Sequence, residues 1–171
     1  MSTPHPPGIF PAFDTAQVVQ RIRESLPELR FVGGAADLAA VQELRSFRTP
    51  ACYVIFAAEQ NTQRVPDSIA QCTLESRVEF TTVLAIRHWR EQRGEQMYDA
   101  RLQLLGALRG ALIGWRPPQQ GCRVIGWQAG RVLDYDAATL LLSDDWQVYF
   151  TCERTPDPDH HHPHPRQGGT A

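Results

Sequence analysis

QCTLESRVEFTTVLAIRHW, residues 71–89, decides the fold class. From Val78 the residues alternate. Val78, Phe80, Thr82, Leu84 and Ile86 point one way along an extended chain, and Glu79, Thr81, Val83, Ala85 and Arg87 point the other. A strand turns successive side chains to opposite faces, so Gln71 to Trp89 reads as one long strand with room for a bulge. One face lies on a core and the other stays partly wet. That is an antiparallel habit, because strands of parallel sheets are covered on both faces and read as unbroken apolar runs.

Downstream, the period changes. In Gln96 to Trp115 the residues Tyr98, Leu102, Leu105, Leu108, Leu112 and Trp115 recur at steps of three and four, the spacing of an amphipathic helix. The same stretch carries Gly106, Gly110 and Gly114, four apart. A glycine inside a helix costs about 1 kcal/mol relative to alanine, so three in a row require a reason. The physical one is close approach of another backbone, from the chain's own sheet or from another subunit. Arg101 and Arg109 interrupt the segment and argue against a membrane version of the motif. Beyond Arg116-Pro117-Pro118, strands are expected near Arg123–Gln128, Arg131–Tyr135 and Leu140–Glu153, with Asp144-Asp145 as a turn inside the last.

Upstream, Ala51 to Ala58 is dense in apolar and β-favouring residues and reads as a buried strand. Residues 59–70 are polar, contain Pro66 and read as a loop. Asp14, with Gln17 three residues on, caps a first helix whose Val18, Ile22 and Leu26 share a face, and Pro27 stops it. A short extended piece, Arg30–Val32, leads through Gly33-Gly34 to a second helix. Asp37 caps that helix, which runs to about Ser46 with Leu38, Val41 and Leu44 as its apolar face. The order α-β-α-β-β-α-β-β-β groups strands and interrupts them with helices. The expected class is α+β, a mainly antiparallel sheet packed against two to three helices.

The 171 residues suit one domain. Eight of the 13 prolines lie in two tails, residues 1–12 and 155–171, so these are expected to be a flexible Pro-rich arm and a disordered Pro/His-rich tail around a single domain over 13–154. The first residues, MSTPHPPGIF, lack the basic and apolar regions of a secretory signal, and no run approaches the roughly 20 apolar residues of a membrane helix. The net charge of −2 leaves no strong field for nucleic acid or anionic lipid. All 17 basic residues are arginine. Without lysine there is no P-loop lysine, no Schiff base and no lysine of the restriction-like nuclease site. Four cysteines at 52, 72, 122 and 152 have no zinc-ligand spacing and read as reduced core thiols.

Several constellations are candidates for chemistry. FVGGAAD matches neither the Walker motif nor G-x-G-x-x-G, and Asp37 stands where a phosphate would sit. Asp134, Asp136, Asp144 and Asp145 are candidates for a magnesium site, but no base partner is spaced to serve them. His88 stands alone inside the domain, without a G-x-S-x-G elbow. His160, His161, His162 and His164 form a metal-avid tract in the tail. The tryptophans 89, 115, 127 and 146 read as core and interface packing. No catalytic set, cofactor or resident metal is expected.

Particular stretches carry a resemblance. They are R-F-V-G-G-A-A-D-L-A-A (Arg30–Ala40), T-P-A (Thr49–Ala51), V-L-A-I-R (Val83–Arg87), L-I-G-W-R-P-P (Leu112–Pro118) and G-R-V-L-D-Y-D (Gly130–Asp136). In this order, from about Phe13 to Glu153, the chain resembles the tail terminator proteins of long-tailed phages, the Mu-like small tail protein group. The resemblance implies an α+β subunit that forms a hexameric ring at the head–tail junction of the virion. Its partners would be further copies of itself, the major tail tube protein and the head–tail connector, with genome DNA passing through the ring unread and no membrane involved. It implies surfaces, not catalytic residues. The expected subunit interface comprises Glu79 and Arg87 on the rim of the long strand, Arg64 in the polar loop, and Gly106, Gly110 and Gly114. The long strand itself is the expected edge for pairing with the next subunit. A head–tail connector or stopper, and a small metal-dependent nuclease, are the competing readings.

Overall fold

The computed structural model describes residues 11–63, 73–87, 95–136 and 139–153. The expectations for the two terminal tails, Arg64, Pro66, Cys72, His88, Trp89 and the histidine tract lie outside those residues. The elements are α1 (Ala16–Ser25), β1 (Phe31–Gly34), α2 (Ala35–Ala39), β2 (Ala51–Asn61), β3 (Thr73–Arg87), α3 (Glu95–Leu112), β4 (Gly126–Tyr135) and β5 (Thr139–Glu153), with a 3-10 turn over Leu44–Ser46. The strands form one sheet in the order β1-β2-β3-β5-β4. Only β1 and β2 run parallel; the other three pairings are antiparallel. The class is α+β, as the alternation in β3 requires.

β3 is central. It pairs with β2 from Ala51↔Ala85 to Asn61↔Ser76, and with β5 along its whole length, from Thr73↔Glu153 to Arg87↔Thr139. The expectation that this strand is a free edge is therefore corrected: both of its ladders are filled. Its length matches β5, residue for residue.

α1 and α3 cover one face of the sheet. Val18, Ile22 and Leu26 from one side and Leu104, Leu108, Ala111 and Leu112 from the other close over Val78, Phe80, Leu84, Trp146, Val148 and Phe150. Phe80 stacks on Trp146 at 6.2 Å, and Phe13 reaches both Phe80 and Phe150 at 6.3 Å. Burying one such aromatic side chain contributes about 2–3 kcal/mol. Among the described residues the other face is covered at its β1–β2 end. There Ala51, Tyr53, Val83, Ala85 and Leu141 meet Phe31, Leu38, Leu44 and Phe47.

That second cluster explains why the second helix is short. On one continuous helix Leu38 and Phe47, nine residues apart, would face opposite ways. Breaking it after Ala39, with Val41 N–H donating to the Leu38 carbonyl and a 3-10 turn following, brings both to the same patch. β2 outruns its expected end at Ala58 because its polar tail is tied across to β3. Ser76 Oγ donates to Glu59 at 2.5 Å and Arg77 donates to Gln60 at 2.9 Å. The two strands expected over 123–135 are one, with bulges after Trp127 and Val132. Asp144-Asp145 is no turn but the middle of β5.

Cys52 and Cys122 are buried free thiols. Burial, and then the charge of Asp144, pushes the Cys52 thiol up to about 12 from 9.0, and burial pushes Cys122 up to about 11. At pH 8 both should escape iodoacetamide in the folded subunit and react on unfolding, read peptide by peptide by mass spectrometry. Because both folded values lie above the unfolded one, their contribution is complete below pH 9 and is lost as pH rises beyond it. Cys52→Ala should flatten that alkaline decline.

Candidate assembly surface

α3 ends in a left-handed turn. Ile113 N–H still donates to the Arg109 carbonyl, Gly114 takes φ +75°, and Trp115 N–H returns to the Leu112 carbonyl. Gly114 is thus a helix terminator, a conformation in which glycine carries no Cβ penalty, and not a third member of a ridge. Arg21 locks this end: its Nε donates to the Ala111 carbonyl at 3.1 Å and its guanidinium lies 5.6 Å from the Trp115 ring. Gly106 and Gly110 are different. Both are exposed, and a methyl group at either would have no neighbour within 4 Å among the described residues. The chain's own sheet is therefore not the close neighbour. With Leu102, Gln103 and Ala107 they form an exposed, uncharged strip on the outer side of α3.

The inner side of α3 carries one charge into the core. Arg109 donates to Asp144 twice, Nε at 2.9 Å and a terminal nitrogen at 2.7 Å. Asp144 is 1% exposed, between Leu142 and Trp146 on the helix-covered face. The hydrogen bonds to Asp144 raise the Arg109 pKa further, against the burial that lowers it. The Trp127 ring of β4 closes the site at 4.7 Å from the guanidinium. Gly130 permits the arrangement: a methyl group there would stand 2.5 Å from Asp144 Oδ1 and 2.7 Å from Arg109. A helix, the central part of β5 and the outermost strand are thereby pinned at one point. Nothing in the residue spacing joins Arg109 to Asp144, 35 positions apart; an arginine set among the leucines and glycines of α3 was the available signal.

Asp145 faces the other way, bound by Thr81 Oγ1 at 2.8 Å and by Arg131. Asp134 accepts from Tyr135 N–H at 2.8 Å and Asp136 from Thr139 N–H at 2.6 Å. The four acids weighed as a magnesium site do not converge. Among the described residues no three histidine, cysteine or acidic groups cluster to hold a metal ion.

The sheet's two edges differ. On β1 two backbone groups are occupied by the chain's own side chains: Arg23 donates to the Val32 carbonyl at 2.7 Å, and Gly34 N–H donates to Asp37 at 2.8 Å. β4 is longer, exposed from Trp127 to Tyr135, and among the described residues paired on one side only. Val132 is 54% exposed, Leu133 48% and Tyr135 73%. Exposed edges that must stay single usually carry charges, proline or bulges; β4 has no proline, and between its charges Arg131 and Asp134 and its two bulges it leaves Val132, Leu133 and Tyr135 as apolar points. Sequence reasoning missed this surface, because G-R-V-L-D-Y reads equally well as an inner strand.

Of the expected interface residues, Glu79 forms a 3.0 Å ion pair with Arg77 on the polar part of the second face. Arg87 is exposed at the far end of the same strand. Eight residues of strand separate the two by roughly 26 Å, so they form no common cluster. Both lie on β3, away from the β4 edge.

Compared with known protein families, residues 9–157 match the phage tail terminator protein family. The chain belongs to that family. The match takes in every described strand and helix, from α1 to the end of β5. Comparison with curated proteins finds no match. Membership makes this terminator-family chain a structural component of the phage tail. No described helix is long and apolar enough to cross a membrane.

Proposed function

We propose that the protein is the tail terminator of a long-tailed phage. Copies close into a ring, six in number, that caps the completed tail tube, stops its polymerisation and receives the head–tail connector. Genome DNA passes through the ring without sequence readout. The family match carries this reading. The unequal edges support the ring: a ring repeats one heterologous contact around an axis, and β4 is the long apolar edge left over in each subunit.

With the β1 edge occupied by side-chain bonds, β4 meets some other surface of its neighbour. The uncharged strip at Gly106 and Gly110 is our candidate, since it offers nothing to collide with a projecting edge. Gly114, Glu79, Arg87 and Arg64 remain proposed contacts of the same ring, the charged ones at its rim. Gly110→Leu separates the roles of this strip. The isolated subunit should melt no lower than wild type, because leucine gains about 1 kcal/mol of helix propensity over glycine and meets open space. Ring formation should fall. The test is electron microscopy of purified subunits mixed with tails made in their absence. Wild-type protein should appear as a ring at one end of each tail, and the variant should not. Wild-type protein that leaves tail ends bare would refute the reading.

A further inference from the structure

We propose that the cleft between β1–β2 and the 3-10 turn is a carboxylate-binding site, taking an acidic side chain of a neighbouring virion chain. The cleft encloses about 390 Å³. Its inner wall is Tyr53, only 2% exposed, with its ring tilted on Phe31 and edge-on to Phe47, both at 5.6 Å. Among the described residues the Tyr53 hydroxyl has no hydrogen-bond partner, although the ring is fixed and lines the cleft. Burial, and then the charge of Asp37, raises the Tyr53 pKa, so the hydroxyl is a donor at neutral pH.

Arg48 stands at the mouth, exposed, its guanidinium 5.9 Å from the Phe31 ring and without an ion pair among the described residues. Ser46 adds a hydroxyl. The acidic group on the wall, Asp37, turns one oxygen to Gly34 N–H at 2.8 Å but keeps its charge, so an incoming acid is held by the Arg48 and Tyr53 donors against it. The uncommitted groups are therefore chiefly donors, one of them a cation whose planar fork suits a carboxylate. Phe31 and Val41 supply apolar wall for a short methylene stem. The site stands on its own geometry; only the source of the acid within the virion rests on the tail reading.

The probe is N-acetylglutamate amide, with N-acetylglutamine amide as its neutral isostere. The acid should shift the Arg48 Nε–H and Tyr53 ring resonances saturably and the amide should not. Tyr53→Phe should bind the acid about tenfold more weakly, the worth of one hydrogen bond to a charged group, while melting at or above the wild-type temperature. No saturable shift, an equal response to both probes, or a Tyr53→Phe subunit that melts several degrees lower would each overturn the site. Tails made without the protein then identify the source. A tenfold or greater loss of complementation by Tyr53→Phe supports an acidic chain of the virion. Full complementation by Tyr53→Phe overturns that source in favour of a small free carboxylate. Failure of wild-type protein to complement rejects the tail reading and leaves the resonance test standing.

Discussion

Arg109→Met should lower the stability of the isolated subunit by about 3–5 kcal/mol, the cost of leaving a buried charge without its partner. For a chain of this length that is roughly 10 °C in melting temperature. The loss comes from Asp144, which keeps its place in the core while its two hydrogen bonds disappear. The double variant Arg109→Met, Asp144→Leu should regain most of the loss, because an apolar pair of similar volume replaces a buried ion pair at little cost. Thermal unfolding of the four proteins forms a double-mutant cycle. A single Arg109→Met that melts like wild type would mean that the pair is wet and the α3–β4 pin inconsequential.

The larger effect on assembly should come from β4. Val132→Asp together with Leu133→Asp places two charges on the exposed edge. Both positions are about half exposed, so the subunit should stay within about 1 kcal/mol of wild-type stability. If these residues sit at the centre of the subunit contact, each loss is of hot-spot size, about 2 kcal/mol or more. Together they should cut complementation of terminator-free tails at least about 100-fold. The same pair of charges on a solvent-facing edge would leave complementation intact and move the contact elsewhere.

Much of the fold was legible because it rests on periodicity. The alternation from Val78 to Arg87 named a half-wet strand, and the buried row Val78, Phe80, Thr82, Leu84 lies on the helix-covered face as read. The leucine spacing of α3 named an amphipathic helix, and Leu108 and Leu112 are fully buried, but Leu102, read on the same face, is exposed and Leu104 lies in the core. What failed depended on partners distant in sequence. Asp144-Asp145 looks like a turn until Arg109 and Arg131 neutralise its two carboxylates from opposite faces. Glu59–Asn61 looks like a loop until β3 supplies side-chain partners. Which strand is an edge is likewise a property of the whole sheet. Length singled out β3, but a long strand flanked by strands as long becomes a centre.

The glycines show the same division. Their spacing announced that something unusual happens on α3, and it does twice over, for different reasons. Gly114 ends the helix by its own backbone conformation, while Gly106 and Gly110 leave a bare outer strip. Spacing alone cannot separate a terminator from a groove. The side-chain bonds that occupy the β1 edge, and a Tyr53 hydroxyl without a partner among the described residues, had no sequence signal at all.

The central claim is that this protein ends tail growth and joins tails to heads. Deleting its gene from the phage and measuring the tails by electron microscopy tests it most directly. The deletion phage should make tails of uncontrolled length, without attached heads, and the protein supplied in trans should restore uniform, joined tails. Tails of normal length joined efficiently to heads in the deletion phage would contradict it.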